Sequence, residues 1–281
     1  MLLLVLVSLL WAFSFGLTKG LTAGLDGTFV ATARLFLALL VFLPFLRLKG
    51  VTLRTAATLA GIGAVQFGLM YLAYNESFRY LPAYQVALFT ITTPILVTLL
   101  ADALDRKFRA RALFAALLAV LGTAVVVFQS GALDATLRGF LFVQLSNVAF
   151  AVGQIAYKRL RARQPTLRDR DIFALLYIGA FTVTLTFTFT LTQVSTFTFT
   201  LTQSLTLLYL GAIASGLGFF LWNKGATQVN AGTLAVMNNL KVPLAVACSL
   251  LFFGESADLP RLLVSLALLA AAVWLADHKK P

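Results

Sequence analysis

The sequence predicts an all-α membrane protein, with ten transmembrane helices arranged as two inverted five-helix repeats. Three observations carry that prediction. Of 281 residues, 60% are hydrophobic and only 11% are charged, with a mean hydropathy of +0.93. A soluble domain holds about 45–50% apolar and about 25% charged residues, so too little polar surface remains here to face water. The apolar residues gather into ten stretches, each near the roughly 20 residues that cross a hydrocarbon core about 30 Å thick. The two halves of the chain also share internal spacings.

The spans follow in order. Leu2–Leu21 has no basic segment ahead of it and no soluble domain after it, so it reads as a retained span and not a cleaved leader. Thr28–Leu46 carries Arg34 near its start, where the side chain is expected to snorkel outward or to pair with Asp26. Thr55–Ser77 has Gln66 and Tyr71 about its middle, and Pro82–Leu104 contains Pro94. Ala110–Phe128 closes the first half. Arg138–Tyr157 opens the second half with Asn147 near its centre, followed by Ile172–Leu191. Leu205–Gln228 ends near Trp222-Asn223-Lys224, which reads as an interfacial aromatic–basic anchor, with a gate as the alternative. Ala231–Phe253 has Lys241 near its centre and also holds Pro243, and Leu259–Ala276 is the last span. Short loops leave no room for a separate soluble domain, so 1–133 and 134–281 are two repeats of one membrane domain.

Basic residues orient the bundle. With the N-terminus placed in the cytoplasm, 16 of the 22 Lys and Arg residues fall on the inner side, in 47–54, 106–111, 158–170, at Lys224 and in the tail. Lys19, Arg79, Arg138 and Arg261 fall outside, and Arg34 and Lys241 lie within spans. That bias puts both termini in the cytoplasm.

The repeat shows in two places. Asn75 precedes Pro94 by the same spacing as Lys224 precedes Pro243, at an offset of 149, whereas Ser14–Lys19 matches Gly153–Lys158 at an offset near 139. Five spans per half is an odd number, so the second copy enters the membrane inverted, as in many secondary transporters. The drift of about ten residues has a source in TFTFTLTQ, present at Thr186–Gln193 and again at Thr196–Gln203. Alternation of Thr with apolar residues has strand periodicity. Helix with hydroxyls bonded to the preceding turn, an outer hairpin, or a duplication artefact are the three readings, and helix to about Leu191 is the one preferred.

Composition also excludes function classes. The net charge of +12 is spread over loops and not gathered on a polar face, which argues against nucleic acid. One cysteine and one histidine leave no intrachain disulfide and no metal cluster, and no phosphate-binding GxxxxGK[ST] loop occurs. No cofactor or metal is expected. All ten acidic residues fall in loops or at helix ends, which disfavours a mid-membrane carboxylate relay. An intramembrane enzyme would need a buried nucleophile, base or metal set, and none appears. The expected partners are a small-molecule substrate and the lipid bilayer. The sequence does not specify an oligomeric state.

Polar residues deep in a bilayer usually face the bundle interior or a water-filled cavity. Lys241, with Asn238 one turn before it and Asn147 on the sixth span, forms a candidate set in which the ammonium attracts a carboxylate and the amides donate hydrogen bonds. Interhelical bonding is the competing reading for both amides. Trp11 and Tyr71 offer rings for an apolar or aromatic group, and Gln66 completes the candidate substrate contacts. Pro94 and Pro243, at matching places, are candidate hinges.

Trp11–Phe15, Arg34-Leu35-Phe36, LGFFLWNK at Leu217–Lys224 and GATQVNAGTLAVMNN at Gly225–Asn239 resemble the drug/metabolite transporter superfamily. Within it they are similar to the EamA-type carriers, and the stretch from Gly216 to Pro243 is most similar to bacterial aromatic amino-acid exporters. The resemblance implies alternating-access export of amino acids, aromatic ones among them, and of related metabolites across a bacterial inner membrane. A multidrug or nucleotide-sugar carrier of the same fold is the alternative. A nucleotide-sugar carrier should show several cavity cations for phosphate, and only Lys241 lies at the midplane by the sequence.

Overall fold

In a computed structural model, residues 2–104, 133–191, 199–229 and 231–277 are described, with residues 106, 114, 118, 121 and 125 described singly. Every element among them is helical, and no strand occurs. The chain is a multi-pass membrane protein. Among the described residues, seven helices are long and apolar enough to cross a bilayer: α1 (Leu2–Thr22), α2 (Gly27–Phe45), α3 (Leu53–Ser77), α4 (Ala83–Leu104), α5 (Leu133–Arg163), α6 (Asp169–Leu191) and α7 (Leu201–Thr227). Two more, α8 (Ala231–Phe252) and α9 (Leu259–Asp277), follow, with Lys241–Phe252 and Leu259–Leu268 as their apolar stretches. The expected fifth span, Ala110–Phe128, lies almost wholly outside the described residues.

Helix ends follow local chemistry more than apolar edges. The Asp26 carboxylate accepts from the Thr28 and Phe29 amides at the start of α2, an N-cap that satisfies otherwise orphaned donors. Thr52 caps α3 through the Thr55 amide, so that helix begins ahead of its first expected residue. Thr200 and Gln203 form a reciprocal capping box that starts α7 at Leu201, not at Leu205.

The threonine run is helical. Hydroxyls of Thr182, Thr186, Thr188 and Thr190 each donate to the carbonyl four residues back at 2.9–3.0 Å, and α6 continues to Leu191. Back-bonding satisfies each hydroxyl within its own helix, so the alternation never needs a partner strand. Residues 192–198, where the repeated motif joins its second copy, lie outside the described residues.

Three helices are locally irregular. α4 is broken by a 3₁₀ turn at Thr90–Thr92, just before Pro94. α3 widens to i→i+5 bonding over Ala64–Leu69, and α7 does so over Tyr209–Leu217. Such wide turns release carbonyls and often sit at functional sites. Pro243, in contrast, stands inside an uninterrupted α8. The two prolines that match in sequence therefore differ in backbone.

Small residues let these helices approach closely. A Cβ on Gly63 would overlap the Leu176 carbonyl oxygen, and one on Gly179 would overlap that of Ala60, which pins α3 against α6. α1 packs on α8, and α2 lies between α6 and the wide turn of α7. Leu6, Leu9 and Phe13 of α1 remain exposed on the outside of the bundle, as side chains facing lipid do.

Candidate functional site

A cavity of about 60 Å³ lies where the irregular helices meet, lined by residues from seven of the described helices. Trp11, Ser14 and Phe15 come from α1, Arg34 from α2, and Met70, Tyr71 and Tyr74 from α3 just beyond its wide turn. The broken part of α4 supplies Thr90 and Thr93, α5 supplies Ser146, Asn147 and Phe150, and α7 and α8 supply Phe219 and Lys241.

Lys241 is 7% exposed. Its ammonium stands 5.0 Å from the Trp11 ring centroid and 5.6 Å from that of Phe150. Among the described residues it makes no hydrogen bond and no ion pair. Cation–π attraction of about 0.5–2 kcal/mol per ring offsets only part of the several kcal/mol that desolvating an ion costs.

The second cavity cation is Arg34, 2% exposed. Its guanidinium donates through Nε to Ser215 Oγ at 3.2 Å, through Nη1 to Thr18 Oγ1 at 3.0 Å, and through Nη2 to the Tyr71 hydroxyl at 2.7 Å. It also stacks 4.3 Å from the Tyr71 ring centroid. Neither outward snorkelling nor pairing with Asp26 describes this arrangement. Asp26 caps its own helix, and three neutral oxygens accept from the guanidinium inside the bundle. Among the described residues, no carboxylate lines the cavity.

Aromatic rings form the apolar wall. Trp11 lies 4.9 Å from Phe219 and 6.3 Å from Phe150 between centroids, and Tyr71 meets Phe219 edge-on at 5.8 Å. Irregular backbone holds this wall in place. Trp11 Nε1 donates to the Ala214 carbonyl at 2.8 Å, and the Tyr177 hydroxyl reaches the Ser215 and Gly216 carbonyls, all within the wide turn of α7. Asn147 Nδ2 donates to the Phe89 carbonyl at 3.0 Å and to Thr92 Oγ1 at 3.1 Å, at the break in α4. Asn147 thus lines the cavity and also binds two helices together.

Of the six residues singled out as substrate contacts, Lys241, Asn147, Trp11 and Tyr71 share this cavity. Gln66 and Asn238 do not line it. Gln66 forms a reciprocal amide pair with Asn223, at 2.9 and 3.2 Å, because the Gly153 backbone lets α5 close tightly over its stem. Asn238 is fully buried on α8. Trp222 is fully buried too and donates to Gln154 Oε1 at 3.3 Å. It is therefore no interfacial anchor. Trp222 and Asn223 follow Phe219, and Gln154 follows Phe150, by one helical turn, and the Trp222 ring packs 6.4 Å from that of Phe150.

The opposite end is bounded by charged loop contacts. Lys19 donates to the carbonyls of Phe78 and Leu81, and the Glu255 carboxylate accepts from the Ala83 and Tyr84 amides at 2.6 and 2.9 Å. The Phe253 ring fills the space over Gly16. The loop between α3 and α4 is thereby held from both sides.

Arg34 is the principal residue that sequence reasoning missed. A usable signal was present, since Arg34 and Lys241 are the two basic residues placed within spans.

Comparison with known proteins bears on what such a cavity serves. The model of the EamA-like transporter family matches residues 1–128 and 137–276. A protein of Pseudomonas aeruginosa named a probable biotin transporter is 43% identical over 274 residues, covering 97% of this chain and 96% of its own. Biotin transporters of Salmonella typhimurium and Escherichia coli are each 39% identical over 282 residues, covering the whole of this chain and 93% of theirs. A crystal structure 17% identical in sequence aligns over 98% of this chain and 95% of its own with a TM-score of 0.69, which is a likeness of fold.

Proposed function

This chain belongs to the EamA-like transporter family, and from that premise we propose that it carries a small monocarboxylate with an uncharged body, biotin being the first candidate. One observation carries the reading: a buried ammonium, Lys241, without a counter-ion among the described residues, facing a cavity whose lining has no carboxylate. An unpaired mid-membrane charge is costly. A substrate carboxylate would supply the missing anion, and the rings of Trp11, Phe150 and Phe219 would cover the apolar part of the molecule. The names of the 39–43% identical relatives supply the candidate.

Aromatic amino-acid export is the second reading, favoured by the same rings. An amino acid also brings an α-ammonium, which needs an acceptor. Among the described residues the lining offers two cations and no carboxylate, so a monocarboxylate suits it better than a zwitterion. For a nucleotide sugar, the count of cavity cations rises from one to two, but Arg34 is already engaged by three oxygens.

Ten spans in two inverted repeats, both termini cytoplasmic in a bacterial inner membrane, complete the proposal. The two separate stretches matched by the family model and the distribution of basic residues support it. At about 60 Å³ the cavity is far below the roughly 300–1,000 Å³ of small-molecule sites. Binding therefore requires the walls to separate, as alternating access provides.

Proteoliposomes holding the purified chain test the reading. Labelled biotin should be taken up, unlabelled biotin should compete, and biotin amide and phenylalanine should compete poorly. Phenylalanine transport that outruns biotin transport would transfer the assignment to the amino-acid reading.

A further inference from the structure

The reading above uses Lys241 and leaves Arg34 unexplained. A guanidinium has five N–H donors. Three are engaged by Ser215, Thr18 and Tyr71, so two remain on a side chain that lines the cavity. Around it stand two hydroxyls, Tyr71 and Ser215, 2.8 Å apart. Ser215 also donates to the Leu210 carbonyl at 2.7 Å, a bond that the wide turn of α7 permits. With the Ser215 proton on Leu210 and the Tyr71 proton on Ser215, the cluster is positively charged and its spare donors are the two free N–H groups of the guanidinium.

Of the two cavity cations, Arg34 is the less available for a carboxylate. The strongest Arg–carboxylate geometry is a fork of two parallel N–H bonds. The Nε edge is occupied by Ser215, and Nη2 is tied to Tyr71. One N–H on each of Nη1 and Nη2 is left, enough for the two lone pairs of one carbonyl oxygen. Lys241, by contrast, keeps all three ammonium donors unspent among the described residues.

We propose that the cavity binds its substrate at two ends, with the carboxylate on Lys241 and an uncharged carbonyl of urea or amide type on the Arg34–Tyr71–Ser215 cluster. This rests on the monocarboxylate reading and extends it, making Arg34 a specificity-determining residue. The covalent frame between the ends is consistent. Trp11 faces Lys241 with its ring, while its Nε1 holds the Ala214 carbonyl next to Ser215, and the Tyr71 ring carries Arg34 on one side and meets Phe219 on another. An apolar bicyclic body with a carboxylate tail and a urea head would meet rings along its length and donors at both ends. A cation in place of the urea carbonyl would meet the guanidinium directly and be rejected.

The test uses three ligands on the reconstituted full chain: biotin, biotin amide, and 2-iminobiotin, in which a protonated cyclic guanidine replaces the urea. Competition against labelled biotin gives two ratios, iminobiotin to biotin and amide to biotin. Arg34→Gln should narrow the first ratio about tenfold or more and leave the second near its wild-type value. Lys241→Met should collapse the second and spare the first. Should Arg34→Gln fail to fold, Ser215→Ala and Arg34→Lys read the same ratio, with a smaller narrowing expected. A folded Arg34 variant with the wild-type iminobiotin ratio would overturn the two-ended site while leaving the monocarboxylate reading intact. Wild-type chain that binds neither biotin nor its analogues would overturn both.

Discussion

Replacing Lys241 with Met keeps the length of the side chain and removes its charge. In the free protein two effects oppose each other. The variant loses cation–π contact with Trp11 and Phe150, about 0.5–2 kcal/mol each, and gains relief from burying an ion, several kcal/mol. At 7% exposure and with no counter-ion among the described residues, relief wins. The empty variant should therefore melt at the wild-type temperature or above it. With substrate bound the balance reverses, because the wild type gains a charge-assisted hydrogen bond of about 1.5–3 kcal/mol. At about 1.4 kcal/mol per factor of ten, biotin affinity should fall roughly 10- to 150-fold.

Thermal shift with and without ligand separates the two effects. Biotin at a hundred times its wild-type Kd should stabilise the wild type by about 2.7 kcal/mol and the variant by about 0.3–1.4 kcal/mol. Biotin amide should bind both forms alike, since it has no charge for Lys241 to meet. Arg at this position should restore binding only in part, because a planar fork does not reproduce a compact ammonium. A folded Lys241→Met chain with wild-type affinity for biotin would refute the reasoning and reduce Lys241 to a packing residue.

Other outcomes follow from the fold. Ala at Gly63 or Gly179 pushes a methyl group into the backbone of the facing helix, so each should destabilise the bundle by about 1–3 kcal/mol, seen as a lowered melting temperature in detergent. A cysteine near Asp134, at the start of α5, should react with an impermeant reagent applied outside cells, and one near Arg163, at its end, should not; the opposite pattern would invert the topology. Deleting Thr186–Ser195 lets the second TFTFTLTQ copy supply the same residues to α6, at the expense of the α7 capping box and about 1 kcal/mol. Insertion and transport should persist, and their loss in a well-expressed deletion would show that the extra ten residues are required.

What the sequence revealed and what it hid divide along physical lines. Length and apolar content were enough to place α1, α4 and α9 within a residue or so, because lipid leaves a spanning chain few options. Depth within a span located Trp11, Tyr71, Asn147 and Lys241, which do meet in one cavity. Rotation about a helix axis was not legible. Arg34 sits early in α2, where a long side chain reaches water if it faces outward, and only the placement of Thr18, Tyr71 and Ser215 turns it inward. Partners far apart in sequence were hidden likewise, as with Gln66 and Asn223, whose amides pair across 157 positions. Thr-apolar alternation misled by period alone, since a hydroxyl that bonds its own helix makes that period irrelevant.

The prolines show why matching sequence does not mean matching mechanics. Pro94 cannot donate to the carbonyl of Thr90, four residues back, and there the chain turns 3₁₀ while Thr93 Oγ1 takes that carbonyl at 2.7 Å. Asn147 takes the neighbouring carbonyl of Phe89 from across the bundle. On α7, Trp11 and Tyr177 do the same for the wide turn. In each case a backbone group freed by irregularity is held by a side chain of another helix. Those bonds can exchange without unravelling a helical ladder, which is what a wall that must separate around a substrate requires. α8, which carries Lys241, has Pro243 but no break, so it presents its charge from a continuous rod. On the proposed alternating-access reading, the walls on α4 and α7 would be the ones to yield, and α8, continuous through Pro243, would hold the ammonium in place.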